Sequence, residues 1–324
     1  FVYLVALDPA RRGAAPARTV VSPLEDTPLA VRTGASVWRP ENYDGTFAGT
    51  LPLEDALAGS RNAATVRLAL EVGLEAVARA AADLGIRSTL PLVPALALGV
   101  GETSLLQLTA AYGVFASGGV RRPPTLVVGV ASANGELLYD APDGAVRVLS
   151  PAVAYLVTHL LERVIDTGTG RPARDAGLTG AAAGKTGTTD DTRDAWFVGF
   201  TPALVAGVWV GLDGGGHTGF TGAQAALPIW TEVVRAAAGS VPARSFPVPD
   251  DLVWRDVDPA SGELAGPSCP EGRHEPFLRG SEPGTPCGLH RPLWTAVGHG
   301  LGEAGHAIGS GGRRLGDWLG RLFR

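Results

Sequence analysis

Two short segments carry the residue types that chemistry on a peptide needs. In Lys185-Thr186-Gly187-Thr188-Thr189, an ammonium, hydroxyls and a glycine stand just before a predicted strand hairpin. The glycine admits a peptide to the backbone for strand-like pairing, and the ammonium and hydroxyls can hold a carboxylate. An ordinary polar strand end fits the same five residues. The second segment, Ser60-Arg61-Asn62, opens a helix predicted from Ala63. A serine and an amide two residues apart on a bend can face one cleft, the hydroxyl relaying a proton and the amide binding a substrate amide. Helix capping by the serine or asparagine is the plainer alternative. Gly184-Lys185-Thr186 also ends like a phosphate loop, but Thr179 stands where that motif needs its first glycine, and a strand hairpin follows instead of a long helix.

The two cysteines, Cys269 and Cys287, lie in a Pro/Gly-rich stretch. A disulfide closing this modest loop suits an exported protein. Zinc-type ligation by Cys269, His274, Cys287 and His290 competes, against the breaks at Pro270, Pro276, Pro283 and Pro286. His159, His217, His299 and His306 stand isolated, with no carboxylate or serine constellation beside them.

The elements that must position these groups follow from periodicity. Phe1 to Leu7 reads as a buried helix or strand already under way, and residues 8–50 as a loop-rich segment. Helices are expected at 53–58, 63–72, 74–84 and 103–117, and from Pro151 to Ile165 after a Ser150 cap. A strand over 125–131 turns at Asn134-Gly135 into Leu137-Leu138-Tyr139. Residues 195–200 and 204–211 read as an antiparallel hairpin closed by Thr201-Pro202-Ala203, and a helix over 223–238, interrupted by Pro228, is expected to pack on it. This order predicts an α/β (α+β) fold, an antiparallel sheet flanked by helices. Residues 1–240 form the expected main domain, and 241–324 a Pro/Gly-rich extension with a terminal helix over 315–323.

With 45% apolar residues, 18% charged residues and a net charge of -5, the 324-residue chain has no basic surplus for general nucleic-acid binding. Nothing approaches the roughly 18 continuous apolar residues of a membrane span. The chain opens on Phe1 and contains no methionine, which reads as a piece of a longer protein.

Set in order, these segments resemble the transpeptidase domain of bifunctional, class A penicillin-binding proteins, whose signature is Ser-x-x-Lys, Ser-x-Asn and Lys-Thr-Gly. Leu53 to Asn62, Ala97 to Glu102 with Ala110 to Ala116, and Gly184 to Thr189 with Arg193 to Gly199 carry the likeness. No Ser-x-x-Lys occurs in the chain, and the resemblance places Phe1 one or two residues after it. The nucleophile is therefore expected to be absent, the fragment inactive, and two sheet strands missing, leaving 204–211 with an unpaired edge. In the parent, the resemblance implies that the serine attacks the D-Ala-D-Ala carbonyl of a peptidoglycan stem peptide and that β-lactams acylate the same serine. Ser60 and Lys185 would move protons, Asn62 would hold the peptide amide, and Thr186 and Thr188 would grip the terminal carboxylate. The strand through Gly187, Thr188 and Thr189 would pair with the substrate and supply one oxyanion donor. No cofactor is implied. An upstream glycosyltransferase domain and an upstream anchor at the extracytoplasmic face of the membrane are. A D,D-carboxypeptidase or β-lactamase-like hydrolase, and a non-catalytic peptidoglycan-binding module, are the alternatives.

Overall fold

The computed structural model describes residues 1–238 and 244–290, which divide into two units. The first comprises Phe1–Trp254 and Glu275–Glu282, the second Arg255–His274 and the chain from Pro283. The expected helix over 315–323 lies outside the described residues.

Along the first unit run α1 (Val2–Leu7), β1 (Pro23–Asp26), β2 (Val31–Thr33), β3 (Ser36–Trp38), β4 (Gly49–Pro52), α2 (Leu53–Ala58), α3 (Asn62–Val72) and α4 (Leu74–Asp83). Next come α5 (Leu105–Ala116), β5 (Val120–Arg121), β6 (Gly129–Ala131), β7 (Leu137–Asp140), β8 (Val146–Arg147), α6 (Pro151–Asp166) and α7 (Pro172–Asp175). Then follow β9 (Ala183–Thr188), β10 (Ala195–Phe200), β11 (Val205–Val210) and α8 (Ala226–Ala238). Strands β12 (Leu252–Val257) and β13 (Arg273–Leu278) carry the chain between the units.

The central sheet has the order β11-β10-β9, all antiparallel. Phe197 of β10 and Ala206 and Val208 of β11 face α8, where Trp230 packs against Phe197 in a tilted pair, ring centroids 4.8 Å apart. The Trp230 indole donates to the Ala206 carbonyl at 3.1 Å, so the largest buried side chain leaves no polar atom unmatched. On the other face lies α5, with Tyr112 edge-on to Phe200. Gly207 makes this approach possible, because a Cβ there would sit 2.1 Å from the Thr109 hydroxyl. The result is a helix–sheet–helix sandwich, as the residue pattern predicts.

Several expectations are corrected locally. Pro228 does not interrupt α8: it occupies the third residue of a helix starting at Ala226, where its missing N–H has no intrahelical acceptor to lose. Residues 8–50 are not merely loop, since β1 pairs with β4 and β2 with β3. Only 129–131 of the strand expected over 125–131 forms, while Leu126, Val127 and Val128 lie exposed. The Pro/Gly-rich extension expected after 240 contains two strands that the sequence reading did not give, β12 and β13. β11 lies at a sheet edge and, among the described residues, its outer side has no partner strand, as expected.

Candidate active site

Between α2 and α3 the chain turns through Gly59-Ser60-Arg61, and Ser60 takes the left-handed conformation, φ +53°. Neither Ser60 nor Asn62 caps α3. Arg61 occupies the cap position without a side-chain bond, and the cap arrives from far away in sequence: the Asn42 side-chain carbonyl accepts the Asn62 N–H at 2.7 Å. Asn42 is buried and donates through Nδ2 to both oxygens of the fully buried Asp26, at 2.8 and 3.0 Å, and to the Thr46 carbonyl at 2.7 Å. Asp26 also accepts the Ala48 N–H at 2.9 Å, and the Arg61 guanidinium lies 3.8 Å away. The bend that presents Ser60 thus rests on a buried, hydrogen-bonded carboxylate–amide pair.

Strand β9 supplies the opposing wall. It pairs with β10 from Ala183↔Phe200 to Thr188↔Ala195, and among the described residues its outer side is unpaired. The Lys185 ammonium donates to the Ser60 hydroxyl at 2.9 Å, joining segments 125 residues apart, and also reaches the Thr186 hydroxyl at 3.3 Å. Thr186 in turn shares a hydrogen bond of 2.8 Å with Thr169. The turn after α6 is fixed against the end of α2, with the Thr169 N–H donating to the Ala58 carbonyl at 3.0 Å.

Asn62 sits at the start of α3 with its side-chain amide donating to the Glu41 carbonyl at 2.7 Å. The Thr188 hydroxyl accepts the Gly222 N–H at 3.0 Å, and Thr189 bonds Asp194, outside the Lys185–Ser60 contact. Gly222 lies flat on the sheet: a Cβ there would be 2.3 Å from the Trp196 carbonyl and 2.5 Å from that of Gly187. The chemistry available is a lysine–serine proton pair beside a free strand edge and a half-buried hydroxyl.

This geometry agrees with the comparisons to known proteins. Residues 22–231 match the penicillin binding protein transpeptidase domain, and residues 248–292 the C-terminal domain of penicillin-binding protein 1A. The chain belongs to the penicillin-binding protein transpeptidase family. It is 38% identical over 252 residues to penicillin-binding protein 1A of Aquifex aeolicus, covering 77% of this chain and 34% of that protein. To the protein of the same name from Rickettsia bellii it is 34% identical over 291 residues, covering 82% and 36%. The chain thus spans about a third of the length of these curated relatives. Among solved structures, penicillin-binding protein 1A from Haemophilus influenzae superimposes with a TM-score of 0.80 at 26% identity, covering 88% of this chain and 48% of that one. PonA1 from Mycobacterium tuberculosis, solved with penicillin V, gives 0.64 at 28% identity, covering 76% and 70%.

Within this penicillin-binding protein domain Lys185 is the only lysine of the chain. Its side chain is half-buried by area, yet protein atoms crowd the amine and desolvation lowers its pKa from 10.5 to about 8. Side-chain 15N-lysine labelling therefore yields one resonance. Its expected titration midpoint is close to 8, and a midpoint above about 10, the range of an unperturbed lysine, would contradict the crowded setting.

Asn42, Asp26, Thr169 and Gly222 support the site and went unread in the sequence. A glycine between hydroxyl residues after a long helix, Thr167-Gly168-Thr169, was the one available signal.

Two clusters of metal-ligating side chains stand elsewhere among the described residues. Glu54, His159 and Glu275 converge in the first unit, but Arg163 lies among them, 3.4 Å from Glu54, 3.8 Å from Glu275 and 2.9 Å from Asp55. That cluster is a charge-compensated strut. The other is in the second unit, where the expected Cys269–Cys287 disulfide is not formed: both thiols are free. His274 does not join them, and pairs instead with Asp256 at 2.8 Å.

Proposed function

We propose that this chain is the cross-linking portion of a peptidoglycan synthase, a serine-type D,D-transpeptidase whose nucleophile lies in a segment preceding Phe1. The observation that carries the reading is the 2.9 Å bond from Lys185 to Ser60, which brings the Lys-Thr-Gly and Ser-x-Asn segments to one place.

In the parent, the serine hydroxyl attacks the carbonyl of the penultimate D-Ala, and an ester forms as the amide to the terminal D-Ala breaks. The Ser60–Lys185 pair carries a proton towards the departing amine, helped by a lysine whose pKa sits near neutrality. Asn62 holds the stem-peptide amide after exchanging its bond to Glu41. Thr186 and Thr188 receive the terminal carboxylate, and the free side of β9, through Gly187 to Thr189, pairs with the peptide backbone. An amine of a second stem peptide then takes the acyl group, and the serine is regenerated. β-Lactams enter as mimics of the donor. The domain works on the extracytoplasmic side of the membrane, with anchor and glycosyltransferase supplied upstream. Among the described residues no helix is long and apolar enough to cross a membrane.

The test is labelling with a fluorescent penicillin, comparing the 324-residue chain with one extended upstream through Ser-x-x-Lys. The extended chain is expected to become covalently labelled and the shorter one to stay dark. Covalent label on the shorter chain would locate a nucleophile within it and end the reading that it is missing.

A further inference from the structure

In the second unit, four groups of metal-ligand type meet: the Asp258 carboxylate, the Cys269 and Cys287 thiols and the His290 imidazole, with ligand atoms all within 4.8 Å of one another. They come from three separate pieces of chain. Asp258 follows a bridge between Val257 and Leu264, and Leu264 also bridges to Pro286, just before Cys287. Leu264 is clamped from both sides of that second bridge, donating to the Thr285 carbonyl at 2.9 Å and accepting the Cys287 N–H at 2.8 Å. Cys269 closes a turn on Gly266, whose N–H points back at the cysteine sulfur at 3.2 Å. Cys287 and His290 are three residues apart, Sγ to Nδ1 3.6 Å.

We propose that this cluster is a structural zinc site with an Asp-Cys-Cys-His ligand set. The first argument is charge. Asp258 is 1% exposed, and its carboxylate faces a thiol at 2.8 Å and the His290 imidazole. A buried carboxylate converging with two sulfurs and an imidazole is a set of electron-pair donors with no permanent cation among them, which a dication satisfies at once. The second is geometry. Zinc bonds of about 2.3 Å to sulfur and 2.0–2.2 Å to nitrogen or oxygen put tetrahedral ligands roughly 3.3–3.8 Å apart, so only small shifts bring these atoms to ligand spacing. The third is the surroundings: the Gly266 N–H on Cys269 and the Ala260 N–H on the second Asp258 oxygen, 2.8 Å, are the outer hydrogen bonds that hold ligands in place. A disulfide would join the two sulfurs but leave the Asp258 and His290 donor atoms, which also lie within 4.8 Å of them, without a part in it. Four protein ligands fill the tetrahedron and leave no position for a substrate, so the metal staples a unit with few buried apolar residues among those described. Binding displaces the thiol protons to solvent.

The whole chain, purified in chelator-free buffer with a phosphine reductant and supplied with Zn2+, is expected to carry one zinc per molecule by elemental mass spectrometry. His274→Ala is expected to keep the full amount, while Cys287→Ser loses most of it. Because Cys287→Ser can also unfold this unit, the unaltered chain loaded with Co2+ provides a second reading. Thiolate-to-cobalt charge-transfer absorption with the intense visible bands of a tetrahedral ion supports the site. The proposal is overturned if the unaltered chain binds no metal, if zinc is equal in the chain and its Cys269→Ser/Cys287→Ser variant, or if chain purified without reductant is two hydrogens lighter and metal-free.

Discussion

Lys185→Ala, in a chain extended through its nucleophile segment, is expected to slow acylation by a fluorescent penicillin by about 10²–10⁴-fold, the range that a positioned proton-transfer group contributes. The reason is the 2.9 Å contact from the Lys185 ammonium to the Ser60 hydroxyl. Lys185→Arg should not restore the rate, because a guanidinium neither titrates near neutrality nor fits a slot sized for an ammonium. A rate within about threefold of the unaltered chain, a difference smaller than one ordinary hydrogen bond contributes, would remove Lys185 from the chemistry. Stability is expected to move the opposite way. Because the folded-state pKa is lowered from 10.5 to about 8, the unfolded chain binds the extra proton more readily. The resulting penalty is fully present below pH 8 and is relieved as pH rises from 8 towards 10.5. A Lys185→Met variant, which removes the titrating group while keeping the stem, should therefore gain most over its parent near neutral pH. Urea denaturation at pH 7 and pH 10 reads that narrowing difference, and a constant difference would count against it.

Asn42→Leu should be the most destabilising single change near the site, costing about 3–5 kcal/mol, as expected when one partner of a buried charged network is removed. The leucine deletes three hydrogen bonds of the Nδ2 group and leaves Asp26, 0% exposed, with only the Ala48 N–H and a distant Arg61. It also uncaps α3 at the residue that follows the Ser60 bend. Chemical denaturation of the chain measures the loss directly. A cost below about 1 kcal/mol, within the usual range of a surface cap, would mean that the Asp26–Asn42 pair does not brace the bend.

Local periodicity made much of the molecule readable. Ser150 and Pro151 announce α6, and the Ser150 hydroxyl does accept the Val153 N–H at 3.2 Å. The hairpin of β10 and β11 follows from two apolar runs joined by three residues. Lys185 and Ser60 were legible because their two short patterns, each open to a plainer role alone, resemble a family signature when set in order. What escaped was built from pairings that leave no local period. β1 finds β4 across an intervening hairpin, and each is four residues long. Asn42 looks like a turn residue until its carbonyl is seen capping a helix 20 positions on. Pro228 read as a break because its place within α8 depends on where that helix starts, which no capping residue marks. Asp258 was missed because it lies 11 positions before Cys269 with no spacing rule to link them.

The backward twist at Ser60 sets two requirements against each other. A left-handed backbone is most comfortable for glycine and costs other residues about 1–2 kcal/mol, yet glycine has no hydroxyl to offer Lys185. Threonine keeps the oxygen but branches at Cβ, where φ +53° is least forgiving. Small repairs aimed at making this corner more comfortable would thus disarm it, and the hydroxyl survives there only because the rest of the bend is held hard enough to keep an uncomfortable residue in place.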